Sequence, residues 1–382
     1  MKIEHISNEI DTKKYLHQIG VDSGGVSVLS AKMKLEFFHI KDLHVGAANI
    51  LKQDALSIGA DLAVPKGTIL AEHPRVNAIL IATRRQLQKL AKKELAQPFG
   101  LKELAKEIEN FLHVKRFKSV KIMGIINANS DSFYSQSRFK ADEATAKIES
   151  MISDGADIID IGALSSRPNA QEISEDEEFE RISPIIDSIY ENKIFNYAKF
   201  SVDSYAPKVV EYALSLGFSI VNDIRGLEDD KICELVASYK AQAIIMHMQN
   251  RPHNMQENPQ YDSILTDISN FFTKRIEKAK SFGVEDIVLD VGVGFGKSLE
   301  HNLMLIKHLE HFEKFSLPLL VGASRKSLIN QISSSNVEDR LPGTIALHVE
   351  AIKNGASIIR VHDVKEHLQA LNVLNALKTI GV

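Results

Sequence analysis

The chain has 382 residues, 44% hydrophobic and 25% charged, with a single cysteine and a formal net charge of -4. That length allows two domains, or one barrel with an appendage, and the apolar fraction is enough for a large core. The composition excludes a disulfide framework or cysteine-rich zinc site and a global basic field that would hold nucleic acid, so any phosphate must be met by a few local cations.

The N-terminal stretch MKIEHISNEIDTKKYL has no apolar core long enough for a signal peptide. No run of about 18 apolar residues predicts a membrane span. A cytoplasmic protein is expected. Residues 1–117 read as a small α/β domain of unassigned role that ends in a linking helix, LKELAKEIENFLHVKRF. His44, Asp61, Arg84 and Arg85 lie there without forming a catalytic cluster. They are expected to face solvent or make ordinary hydrogen bonds, with oligomerisation or regulation as the alternative role.

From residue 118 to 382 short apolar runs alternate with amphipathic ones. The predicted strands are VKIMGII, DIIDIG, KFSVD, SIVND, AIIMHM, DIVLDVG, LPLLVG and SIIRVHD. Ser174 and Glu177 predict a capping box that opens one of the helices between them. Eight strands alternating with helices predict a (β/α)8 TIM barrel rather than an open doubly wound sheet. In a barrel, functional residues belong at the C-terminal strand ends. Polar residues stand there: Asn127, Asp203, Asn222, Asp223, Asp290, Arg360 and His362. Arg360 and His362 are two residues apart, so in a strand they share a face.

The motifs sharpen this picture. DVGVGFGKS, residues 290–298, lacks the first glycine of a P-loop, because Val291 stands where it is required. Its glycines instead allow a tight bend beneath a flat ligand, with Phe295 covering an edge. VGASRKS places Lys326 directly after a strand, as a point donor. GALSSRPNA, with Arg167 and Pro168, has the small residues of a lid loop. Met246, Met248 and His247 end another strand, and methionines suit an aromatic ring. His247, His253 and His362 match no zinc spacing. Asp203, Asp290, Asn222 and Lys326 suit an amino-pyrimidinone edge, and Arg167, Arg360 and His362 suit an anion.

In these stretches, from about residue 120 to 370, the chain closely resembles the dihydropteroate synthases. MGIINANSDSF, SSRP, SVDS, VNDIRGL, LDVGVGFGK, VGASRKS and IIRVHDV carry the resemblance in the same order. It implies condensation of 6-hydroxymethyl-7,8-dihydropterin diphosphate with 4-aminobenzoate. Asp203, Asp290 and Lys326 would be catalytic. Asp203, Asn222, Ile224, Met246, Asp290, Gly322 and Lys326 would hold the pterin. Asn127, Arg167, Arg360 and His362 would hold the diphosphate, with Asn127 as the Mg2+ ligand. Ser166, Arg167, Pro168, Phe295 and Ser327 would line the aminobenzoate site. The resemblance also implies a homodimer. The sequence departs from the family's usual loops at Ala128, Asn129, Ser130 and Leu164. Two alternatives remain: a pterin-dependent methyltransferase barrel and a non-catalytic pterin-binding regulatory protein.

Overall fold

The computed structural model describes residues 1–8, 10–128, 137–163, 173–250, 255 and 257–380. It divides into two compact units, Met1–Val114 with Val373–Val382, and Lys115–Asn372. The division falls at Lys115, against residue 118 read from the sequence, and the last ten residues group with the first unit.

In the first unit, α1 (Thr12–Gln18) and α2 (Ser23–Ser30) are each opened by an aspartate, Asp11 and Asp22, which accepts a backbone N–H two or three residues into the helix. β1 (Leu35–His44), β2 (Asp61–Ala63) and β3 (Arg75–Thr83) form an antiparallel sheet in the order β1-β3-β2. In β3, Val76, Ala78, Leu80 and Ala82 alternate inward, as a one-sided sheet requires. They pack on α3 (Val45–Ser57), α4 (Arg84–Glu94) and α5 (Leu101–His113) through Ala47, Leu51, Leu87, Leu90, Leu101 and Ile108. His44 accepts from the Gly46 N–H at 3.0 Å and stacks on Phe99, while Arg84 donates to the Leu112 carbonyl at 2.9 Å. These are ordinary structural contacts.

The second unit is a closed barrel of eight parallel strands: β4 (Lys121–Asn127), β5 (Ile158–Gly162), β6 (Lys199–Asp203), β7 (Ile220–Asp223), β8 (Gln242–Met246), β9 (Ile287–Asp290), β10 (Leu319–Val321) and β11 (Ile358–Val361). β10 and β11 close it onto β9 and β4. The helices are α6 (Ser137–Ser153), α7 (Glu175–Glu191), α8 (Pro207–Ser215), α9 (Asp230–Ser238), α10 (Ile264–Ser281), α11 (Leu299–Lys307), α12 (Ser327–Ile332), α13 (Leu341–Lys353) and α14 (Val364–Thr379). The eight predicted strands thus appear in order, and the TIM barrel stands. The capping box predicted before α7 forms by half. The Ser174 hydroxyl accepts from the Glu177 N–H at 3.2 Å, but the Glu177 carboxylate pairs with Arg181 one turn on.

Inside the barrel Met123, Ile158, Ile220, Ile244, Val288, Leu320 and Ile358 form one apolar layer. Side chains repeat every second residue along a strand, so the next inward positions toward the C-terminal mouth follow from it: Ile125, Asp160, Asn222, Met246, Asp290, Gly322 and Arg360. An apolar floor therefore carries a mostly polar layer directly above it.

Glu94, at the end of α4, is fully buried. Burial first, and then the charge of Asp54, pushes its carboxyl up to about 7. Between its ordinary value and about pH 7 the unfolded chain releases a proton that the folded one keeps, so stability falls as pH rises through that window. Glu94→Gln is expected to remove this slope and to raise stability above pH 7, measured by urea unfolding from pH 5 to 8. An unchanged slope would refute the assignment.

Candidate functional site

The polar layer is organised around Arg360. Its Nε donates to Asp160 Oδ2 and its Nη2 to Asp203 Oδ2, both at 2.6 Å. Asp160 has no exposed surface, while Asp203 and Arg360 are about one-fifth exposed as side chains. Burying a guanidinium is costly unless its charge is paired and its N–H groups are bonded. Two carboxylates do both. Asp160 Oδ2 also accepts from Asn222 Nδ2 at 3.1 Å. That bond fixes the amide orientation and leaves the Asn222 oxygen as the group offered elsewhere. Burial raises the Asp203 carboxyl toward about 7; Arg360 opposes the rise, and the neighbouring carboxylates Asp160, Asp223 and Asp290 add to it.

Across the mouth, Asp290 Oδ1 accepts from the Gly292 N–H at 2.8 Å. Gly292 has φ 66° and Gly294 φ 83°, a region open chiefly to glycine. A Cβ on Gly292 would lie 2.0 Å from the His247 carbonyl oxygen, so the bend after Asp290 admits no side chain. The same loop carries Phe295, whose ring centroid lies 4.0 Å from Lys326 Nζ. Lys326 is the N-cap residue of α12. Burial first pulls its ammonium down to about 8; Asp290 and Asp203 oppose that pull and Arg360 adds to it. Phe295 packs with Ile224, Met246 and Met255, and Tyr205 and Met248 lie against the group. The result is an apolar cheek beside a polar wall, the arrangement that holds a flat heterocycle.

His362 follows β11. Its Nδ1 lies 2.9 Å from Ser324 Oγ, and its backbone N–H donates to that same oxygen at 3.2 Å. Burial, then Arg360, pushes the imidazole down to about 4. Of the two residues sharing a face at the end of β11, only Arg360 is therefore charged near neutral pH, and His362 is a neutral donor.

The structure thus brings Asp203, Asn222, Asp290, Lys326 and Arg360 into one mouth, with Ile224, Met246, Gly322, Phe295 and His362 on it. Asn127 ends β4, exposed, opposite Gly162. Ser327 is exposed at the start of α12. Ser166, Arg167 and Pro168 lie outside the described residues, as do Asn129, Ser130, Leu164 and His253. Asp223 belongs elsewhere. Its carboxylate accepts from the backbone N–H groups of Arg225 and Leu227 at 2.7 and 2.9 Å, so it caps a turn.

Two residues escaped the sequence reading. Asp160 stands in the middle of IIDIG rather than at its end, and only its two-residue offset from Ile158 marks it as inward. Lys297 resembled the end of an incomplete phosphate loop. It is buried instead, its Nζ donating to the carbonyls of Phe295 and His247 at 2.8 and 3.2 Å and lying 3.0 Å from His247 Nδ1. It staples the β8 end to the glycine loop.

A family model described as pterin binding enzyme matches residues 123–362. The dihydropteroate synthase of Escherichia coli is 39% identical over 259 residues, covering 67% of this chain and 90% of that protein. The chain belongs to the dihydropteroate synthase family. A bifunctional dihydropteroate synthase/dihydropteroate reductase of Helicobacter pylori is 41% identical over 366 residues, 96% of each chain. Among solved structures, the dihydropteroate synthase of Yersinia pestis in a sulfonamide drug complex superposes with a TM-score of 0.64 at 38% identity, covering 69% of this chain and 95% of that one. The family match spans the barrel strands from β4 to the end of β11, where the polar layer lies.

Asp160→Asn removes one of the like charges that raise Asp203 and leaves Arg360 to Asp203 alone. The Asp203 carboxyl is expected to titrate lower in this variant, read by carbon NMR of labelled aspartate side chains. An unmoved or raised value would contradict the shared-guanidinium geometry.

Proposed function

We propose that the barrel mouth joins 6-hydroxymethyl-7,8-dihydropterin diphosphate to 4-aminobenzoate, giving 7,8-dihydropteroate and diphosphate. The observation that supports this most directly is the pairing of acids and cations in one interior layer: Asp203, Asp290 and Asn222 beside Lys326 and Arg360. The pterin's amino and ring N–H groups face the carboxylates, the Asn222 oxygen accepts, and Lys326 donates to the carbonyl or ring nitrogen. Hydrogen bonds to charged partners contribute roughly 1.5–3 kcal/mol each, so two or three fix the ring's orientation. Ile224, Met246 and Gly322 leave a flat slot for it, and Phe295 closes one edge.

The bond between the methylene carbon and the diphosphate oxygen breaks, and its electron pair leaves with the diphosphate. Arg360 receives the anion through N–H groups that Asp160 and Asp203 do not use, and neutral His362 adds one more donor. Positive charge develops on the dihydropterin methylene beside Asp203 and Asp290, where preorganised carboxylates act strongly in a site that excludes water. The aromatic amine is already neutral at pH 7. It forms the new carbon–nitrogen bond and then releases its proton to solvent. Arg167, Ser166, Pro168 and Ser327 are assigned to the diphosphate and aminobenzoate by their motif positions.

Asn127 is the proposed Mg2+ ligand. Mg2+ keeps several waters and takes few protein oxygens besides substrate phosphates. One amide oxygen at an open strand end fits that donor set, and among the described residues no group of three or more His, Cys, Asp or Glu is placed to hold a metal. When bound there, the ion would neutralise charge on the departing diphosphate. No described helix is long and apolar enough to cross a membrane; we assign the chain to the cytoplasm and, from its family, to a homodimer. A methyl-transferring barrel has no use for Arg360 and Lys326 together, and a merely regulatory binder has no use for a poised leaving-group pocket.

The test is turnover of both substrates with Mg2+ by the full chain. The value of kcat/KM should fall above about pH 8, where Lys326 loses its proton. Lys326→Met should lower the plateau and flatten that limb. Absence of dihydropteroate from the wild-type reaction would overturn the proposal.

A second activity is favoured by the Helicobacter pylori relative, which matches 96% of the chain and so includes the first unit. We propose that this chain also reduces dihydropteroate. The reaction adds a hydride and a proton across a C=N bond of the dihydropterin ring and therefore requires a hydride donor. Dihydropteroate-dependent oxidation of a reduced nicotinamide or flavin nucleotide by the full chain would support it. No oxidation of either donor would remove it.

A further inference from the structure

Behind the mouth, two buried histidines hold the segment that presents Lys326. His367 Nδ1 lies 2.6 Å from the Asp363 carbonyl oxygen. A carbonyl only accepts, so Nδ1 carries the proton and the neutral ring has a bare Nε2. That Nε2 lies 2.9 Å from His348 Nδ1, which must therefore donate. His348 Nε2 is then bare as well, and it accepts from the Ala323 N–H at 3.0 Å. Each ring can carry only one proton, and each tautomer is fixed from both ends. The two side chains are buried, on α13 and α14.

The chain of bonds closes on itself. The Asp363 carboxylate takes a two-point bond from Arg325, Nε at 2.9 Å and Nη2 at 2.6 Å. Arg325 has φ 54°, an unfavourable region for a non-glycine residue. It is held there by its N–H bond to Thr344 Oγ1 at 2.9 Å and by Arg340 Nη1, which donates to its carbonyl at 3.1 Å. Ala323 and Arg325 are thus anchored from α13 and from the entry of α14. Between them Ser324 reaches His362, and directly after them Lys326 reaches Phe295.

We propose that His348 and His367 are positioning residues that set Lys326 and Ser324 for the reaction by locking residues 322–326 through this closed circuit. The catalytic consequence rests on the synthase reading above; the circuit itself does not. Neither histidine touches the mouth. Their effect passes through the Ala323 N–H and the Asp363 carbonyl. If His367 is replaced by a ring without an acceptor, the His348 Nδ1–H is buried with no acceptor, and the ring can satisfy it only by turning or by moving its proton, either of which releases the Ala323 N–H.

The experiment uses the full chain with nitrogen-15 labelled histidine. Two Nδ1–H rings are expected in the wild type, against the Nε2–H form that free imidazole side chains favour. In His367→Phe the titration of Lys326, followed by carbon NMR of its ε position, should move. The kcat/KM for the pterin diphosphate should fall, by up to about 100-fold for a shift of about an ångström, while the KM for 4-aminobenzoate stays near the wild-type value. His348→Gln retains an acceptor for Ala323 and a donor for His367, and it should keep most of the wild-type activity; His348→Leu should lose it as His367→Phe does. Thermal midpoints show that each variant is folded. An Nε2–H form at either ring, an unmoved Lys326 titration in His367→Phe, or equal behaviour of the Gln and Leu variants would overturn the proposal. If the wild type forms no dihydropteroate, the synthase reading fails, while the tautomers and the Lys326 titration still decide the circuit.

Discussion

A guanidinium held between two carboxylates inside a barrel governs the chemistry of this mouth. Arg360 has little access to water, so its charge depends on Asp160 and Asp203. Asp203 depends on it in return, since burial and the neighbouring acids raise its affinity for protons and Arg360 opposes that rise. In the proposed reaction the arrangement keeps a fixed positive charge beside the departing anion. It would also keep negative charge beside the forming cation. Neither charge has to be gathered at the moment of reaction, and this is the condition under which electrostatic catalysis is strongest.

The rest of the site supports that pair. Asp160 orients Asn222 as well as Arg360, so one buried carboxylate aligns the groups proposed for the ring and for the leaving anion. The glycine bend after Asp290 brings the Gly292 N–H to that acid and turns Phe295 toward Lys326. Lys297 fixes the bend by bonding to carbonyls on either side of it. On the neighbouring strand end the segment 322–326 is tied from behind by two histidines and an arginine. Asn222, Asp290, Arg360 and the segment carrying Lys326 therefore each have a second group restricting them.

Much of this was legible in the sequence because a parallel barrel has simple rules. Strands such as DIVLDVG and SIIRVHD announce themselves by apolar runs, and their ends are where polar residues become informative. That reasoning found Asp203, Asn222, Asp290, Lys326 and Arg360. It passed over Asp160 because it attended to strand ends, whereas orientation is set by alternation from the floor layer. It grouped Asp223 with Asn222 although adjacent residues in a strand face opposite ways. It placed Arg360 and His362 on one face as an anion pocket but could not tell that His362 is neutral, since burial and the neighbouring guanidinium are tertiary effects. Lys297 and the His348–His367 pair were invisible for the same reason: a hydrogen bond across tens of residues leaves no local pattern.

The apolar floor and the polar layer above it occupy alternate positions of the same short strands. Deleting the codon between the two layers in β5, β7, β9 or β11 would leave the floor residue inward and turn the polar-layer residue, with the rest of that strand, toward the helices. Such a lesion would put a polar or charged side chain among the helices and bring its outward neighbour into the mouth, so packing and chemistry would suffer together. Variation in length is confined to the connections, so over evolutionary time the barrel strands can change their letters far more readily than their count.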